Sequence, residues 1–114
     1  MTKDEVRALI EPAIAHRGYT TFEDVWGEIE RHEKILWTGE RSAVVLMFWD
    51  YPTHRACVVQ FAGGDLEEIQ SLEPHLQQFA RDCGATTLEM RGRKGWARSL
   101  PGWEVTEIIM ERRL

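Results

Sequence analysis

The chain has 114 residues, of which 43% are hydrophobic and 29% charged, and a formal net charge of −5. That length supports one hydrophobic core and is too short for two, so residues 1–114 are read as a single domain. The acidic balance argues against a general nucleic-acid binder, which needs basic surface to neutralise phosphates. No apolar run reaches the roughly 18 to 20 residues of a membrane-spanning helix. Met1 is followed directly by TKDEVR rather than by a secretory signal, so synthesis in a cytoplasm is expected.

Thr2 and Glu5 form a capping box, which predicts a helix start. Val6, Leu9, Ile10, Ala13 and Ile14 then recur at helical spacing along one stripe, with Pro12 as an expected kink or stop and Gly18 as the terminator. A second capped start at Thr21, with Asp24 three residues on, opens a short helix carrying Val25, Trp26 and Ile29. From Lys34 the period becomes strand-like. Residues 35–38 (ILWT) and 42–51 (SAVVLMFWDY) read as strands around the turn at Gly39, and the continuous apolar middle of the second predicts burial on both faces. Pro52, Thr53 and His54 turn the chain into a third strand at 55–62, giving an antiparallel hairpin.

The stretch from 55 to 91 organises the rest. A strand, the pair Gly63-Gly64, a capped amphipathic helix from Asp65 to the terminator Gly84, and a strand at 86–90 make a βαβ unit. Pro74 should kink that helix or split it. A basic loop, RGRKG, leads to a short helix near Trp96, a turn at Pro101-Gly102, and a predicted last strand at 103–112. The class is therefore α/β with a mixed α+β sheet and helices on both faces. Cys57 and Cys83 show no CxxC or Cys/His spacing, and the four histidines are scattered, so reduced core thiols and no metal site are expected.

This order of elements resembles the GNAT N-acetyltransferase superfamily, and the ending WARSLPGWEVTEIIMERRL looks like that family's short helix, G-aromatic-E turn and closing strand. Within it, the segments AGGDLEEI and RGRKGWAR are most similar to small reduced GNAT-like proteins encoded among tailed-phage structural genes. The resemblance implies that an active member would hold acetyl-CoA pyrophosphate on a loop of the form Q/R-x-x-G-x-G/A. Gln60 and Gly63 match its first and fourth places, Gly64 follows, and Asp65 stands where a small residue is expected. Glu67 and Glu68 add two more carboxylates, which stabilise a helix N-terminus and repel a diphosphate there.

For catalysis the chain offers only Asp50 and Glu89 as bases, and a strand-end carboxylate is more commonly plain surface. Arg91, Arg93, Lys94 and Arg98, with Trp96 among them, form a candidate contact for an anion or a partner protein, against the plainer reading of a solvated turn. Five tryptophans exceed what a core of this size readily hides, which favours a contact surface. The expectation is a reduced, non-catalytic GNAT-like module serving as a virion structural, assembly or ejection-associated protein. It would need no cofactor, and it would contact other virion proteins or further copies of itself. The alternative is an acetyl-CoA-dependent N-acetyltransferase with a minimal cofactor loop.

Overall fold

The computed structural model describes residues 1–92 and 95–114. Helix α1 (Lys3–Arg17) begins as its capping box requires, the Thr2 hydroxyl accepting from the Glu5 N–H at 3.2 Å. It runs unbroken through Pro12, because Pro12 and Ala8, whose carbonyl a proline cannot engage, are both exposed and water can satisfy that carbonyl. Helix α2 (Phe22–Glu30) is capped in the same way by Thr21.

Strands β1 (Ile35–Thr38), β2 (Ser42–Asp50), β3 (Arg55–Gly64) and β4 (Thr87–Met90) form one sheet in the order β1-β2-β3-β4. The first two pairings are antiparallel and the last is parallel, so the sheet is mixed, as the βαβ pattern implied. Helix α3 (Leu66–Asp82) makes the crossover and also continues through its proline, Pro74. Of the two alternatives, kink or split, the split does not occur, since Pro74 lies on the exposed side and the flanking stripe of Ile69, Leu76 and Ala80 is buried as one face. Helix α4 (Gly95–Ser99) is a single short turn.

Two layers of apolar side chains explain why this architecture holds. Ala43, Val45 and Phe61 meet Val6, Ile10, Ile14, Phe22 and Val25 on the α1/α2 face. Val44, Leu46 and Val59 meet Ile69 and Leu76 on the α3 face. The residues of β2 from Ala43 to Leu46 are each 0% exposed, so the unbroken apolar run reports burial on both sides. Each such Val, Ile or Leu contributes roughly 1.5 to 3 kcal/mol by leaving water.

The predicted strand at 103–112 is not formed. Residues 103–114 carry no helix or strand, and Val105, Ile108, Ile109, Met110 and Leu114 are exposed. Its residues suit a strand, but a strand exists only against a partner's hydrogen bonds, and no described strand lies beside it.

Candidate functional site

The residues proposed for a phosphate loop lie where β3 passes into α3. A bulge precedes them. Val45 faces Phe61 while Leu46 faces Val59, so Gln60 is the extra residue in β3. Its side chain is 8% exposed, and its amide donates to the Tyr19 hydroxyl at 3.0 Å, which turns it toward the α1/α2 side. Gly63 lies under α1. A Cβ there would stand 2.7 Å from the Leu9 carbonyl carbon and overlap its oxygen, so the position admits only glycine. Gly64 has φ +113°, and its backbone is pressed against Arg41 and Ser42.

Carboxylates fill the helix start. Asp65 Oδ1 accepts the Glu68 N–H at 3.2 Å, and Asp65 Oδ2 takes Arg41 Nε at 3.1 Å. The Asp65 N–H itself donates to the Arg41 carbonyl at 3.0 Å. Glu68 reaches back across the β1–β2 turn, where its Oε1 accepts the Arg41 N–H at 2.9 Å and the Ser42 hydroxyl. The Glu68 side chain is only 13% exposed. Arg41 therefore sits between two carboxylates of the first helical turn, and the positive end of α3 is met by the protein's own charges.

These contacts have a pH signature. The Ser42 hydroxyl, then the Arg41 N–H and guanidinium, hold the Glu68 carboxyl below the usual carboxylate range. The Glu68 N–H, then Arg41, do the same for Asp65. Both groups bind protons more weakly in the folded chain than in the unfolded one. The stability they contribute is complete above the unfolded values, near about pH 4, and is lost as pH falls through the lower folded values. Melting temperature should drop on acidification below about pH 4, and Asp65→Asn combined with Glu68→Gln should flatten that drop. Equal slopes for both proteins in melting curves would show that this clamp does not titrate with folding.

The two candidate bases are placed apart. Asp50, at the end of β2, forms an ion pair with Arg55 Nε at 3.4 Å, and the Arg55 guanidinium lies over Phe48 on the α3 face. Glu89 pairs in register with Val58, one residue out of phase with the α3-facing Cys57 and Val59, and so belongs to the α1/α2 face. Opposite faces of one sheet separate them, and they cannot act on one reacting group. Glu89 is half-buried and accepts the Tyr51 hydroxyl at 3.2 Å, which raises the Tyr51 pKa and keeps the phenol protonated. Tyr51 in turn stacks on His54 at 5.0 Å.

Arg93 and Lys94 of the basic loop lie outside the described residues. Arg91 and Arg98 are exposed, whereas Trp96 is half-buried and packs over Gly92 and the edge of the α3-side core. Burial pushes the Cys57 thiol up to about 11, so it stays a protonated core group. Among the described residues no three His, Cys, Asp or Glu side chains stand close enough to hold a metal ion, and no helix is long and apolar enough to cross a membrane.

Sequence reasoning found the Asp65 cap. It missed Arg41, Tyr19 and the Tyr51–Glu89 bond, whose partners lie 24 to 41 residues apart along the chain and leave no local signal.

A mixed four-stranded sheet with a βαβ crossover, α1 and α2 on one face and α3 on the other defines an acetyltransferase-like, GNAT-like fold. The structure of a probable acetyltransferase superimposes with a TM-score of 0.67 at 12% identity, over 98% of this chain and 90% of the other. The structure of a variant of TTHA1254 from Thermus thermophilus superimposes with a TM-score of 0.61 at 12% identity, over 100% of this chain and 93% of that one. No family model and no curated protein matches the sequence. At such identities the likeness is one of fold.

Proposed function

We propose that the chain is a reduced, non-catalytic GNAT-like module that acts through protein–protein contacts, as a virion structural, assembly or ejection-associated protein of a tailed phage. The observation that carries the non-catalytic part is the filled start of α3, where Asp65, Glu68 and Arg41 satisfy one another at the place an acetyl-CoA pyrophosphate would need. A diphosphate entering there would meet two carboxylates and would have to displace Arg41 from both. The crowding of Gly63 by α1 adds to this, since the loop has no slack on that side. The separation of Asp50 from Glu89 removes a two-carboxylate arrangement. The phage setting is supported by the sequence resemblance of AGGDLEEI and RGRKGWAR alone. In that setting Arg91 and Arg98, with Arg93 and Lys94, are the proposed contact for virion or assembly partners, and the chain moves from a cytoplasm into a particle.

A second reading, an acetyl-CoA-dependent N-acetyltransferase, is favoured by one specific arrangement. Tyr51 and Glu89 form a hydrogen-bonded acid and base on the same sheet face as Gln60, and one structural neighbour is described as a probable acetyltransferase.

Calorimetry with acetyl-CoA separates the two. The proposal expects a dissociation constant weaker than about 1 mM, a binding free energy of no more than about 4 kcal/mol. Micromolar binding would overturn it and make Gln60, Gly63 and Gly64 a working phosphate loop.

A further inference from the structure

The sheet begins at β1, which pairs with β2 on one side and with no described strand on the other. Its residues, ILWT, include no proline and no charge, the devices by which folds usually blunt an exposed edge. Which backbone groups face outward follows from the ladder. The Gly39 N–H donates to the Ser42 carbonyl at 2.9 Å, and inward-facing residues alternate along a strand, so Gly39, Trp37 and Ile35 turn their polar groups to β2. Leu36 and Thr38 turn theirs away from the sheet, with no described strand to receive them.

A second edge of the same sequence fits these groups in one antiparallel alignment. Leu36 opposite Thr38 of a second copy, and Thr38 opposite its Leu36, make about four backbone hydrogen bonds. The same alignment sets Lys34 opposite Glu40 and Glu33 opposite Arg41, an attraction in each case. Sliding it by two residues, the smallest step that keeps outward groups facing one another, sets Arg31 against Arg41 in one direction and Leu36 against Glu40 in the other. Shape agrees with charge. Leu36 packs on the α1/α2 face, and Lys34 reaches Glu28 of α2 at 3.1 Å, beside a hollow of about 310 Å³ lined by Ile29, His32, Lys34, Ile35 and Leu36. Glu40 of the second copy, whose side chain is 90% exposed in the chain alone, would enter that hollow next to His32 and Lys34. On the α3 face, Ile35 meets Gly39, which has no side chain to obstruct it, and Trp37 meets its own counterpart with about 4.5 Å between Cα atoms. Trp37 is only half-buried, one side of its ring being taken by Phe79 at 5.3 Å, so a second indole has surface to cover.

We propose that two copies of the chain join edge to edge through β1, antiparallel about a two-fold axis at Trp37, so that their four-stranded sheets become one continuous sheet. The contact is self-complementary, as a two-fold interface requires. It keeps the α1/α2 layers of both copies on one side and the α3 layers on the other. It lies at the opposite edge of the sheet from Arg91, and it holds whether the start of α3 is open or closed to a cofactor.

Sedimentation of the full chain at about 100 μM, a concentration at which a micromolar dimer is nearly full, tests this. The wild type should run at twice the monomer mass. At that concentration the Leu36 and Thr38 amides should exchange with deuterium at least about fivefold more slowly than at about 0.1 μM, whereas those of Trp37 and Gly39, bonded within the chain, should not change. Thr38→Pro removes an outward donor and leaves the ladder to β2 intact, so it should give a monomer that keeps its thermal transition. Glu40→Arg alters an exposed side chain and sets a like charge against Lys34 of the second copy, which should weaken the dimer at least about threefold. That variant decides the matter even if the proline variant does not fold. A monomeric wild type would overturn the proposal, as would a folded Thr38→Pro variant that still dimerises. A dimer of unchanged strength in Glu40→Arg would also overturn it, since that charge pair selects the alignment.

Discussion

Gly63→Ala should destabilise the protein by about 3 kcal/mol or more, enough to leave much of it unfolded. Extra methyl groups in packed interiors cost roughly 1 to 3 kcal/mol when neighbouring side chains can turn aside. Here the obstacle is the backbone of α1. The new Cβ would stand 2.7 Å from the Leu9 carbonyl carbon, and Leu9 cannot withdraw without lifting Val6, Ile10 and Ile14, which are at most 3% exposed. Urea denaturation followed by circular dichroism measures the loss. A change below about 1 kcal/mol would mean that α1 does not cross β3 at this point. The same geometry alters how a functional test of this glycine must be read. Lost ligand binding in any Gly63 variant would report lost folding first.

Phe79→Ala should cost about 3 kcal/mol, the lower end of the range for truncating an aromatic core residue, because Phe79 is half-buried. Its ring lies 5.3 Å from Trp37 on β1 and 5.9 Å from Phe48 on β2, so a single side chain ties α3 to two strands. Tilted aromatic contacts of this kind add roughly 0.5 to 1.5 kcal/mol to simple burial. Phe79→Leu should recover more than half of the loss by refilling the volume. If the alanine variant unfolds within about 1 kcal/mol of wild type, the rings are neighbours without being a packing unit.

At the start of α3, residues that resemble a phosphate loop in sequence have other partners in the fold. Gln60 and Gly63 stand at the spacing of a phosphate loop, yet the first is bonded to Tyr19 and the second is covered by α1. The acidic residues beside them, Asp65 and Glu68, are the informative departure. Their charges are balanced by Arg41, from a turn that precedes them by more than twenty residues. Nothing in the local spacing of 60–68 announces that arginine.

The helices at 3–17, 22–30 and 66–82 and the four strands were legible because their signals are local, but the third strand runs on to 55–64 and takes in Gly63 and Gly64, expected as a turn, because they pair with Ala43 and Ser42. Thr2, Thr21 and Asp65 each accept an N–H three residues on, a contact that depends only on nearby backbone geometry. The apolar run of β2 needed burial on both faces whatever covered it. Three features depended on what was brought alongside. The segment 103–112 has strand composition but no described strand beside it, and β structure is a property of pairs. Pro12 and Pro74 were tolerated because each falls on an exposed side, which only packing decides. Asp50 and Glu89 were separated by the sheet itself, since register, set by Phe48, Cys57 and Val58, assigns one to each face. The sequence by itself determined the elements, their order and the acidic character of the α3 start, because caps and periodicity act within a few residues. Tertiary structure alone decided that Arg41 closes that start, that Gly63 is a packing residue, and that the apolar tail pairs with no described strand, because those outcomes depend on which distant segments come into contact.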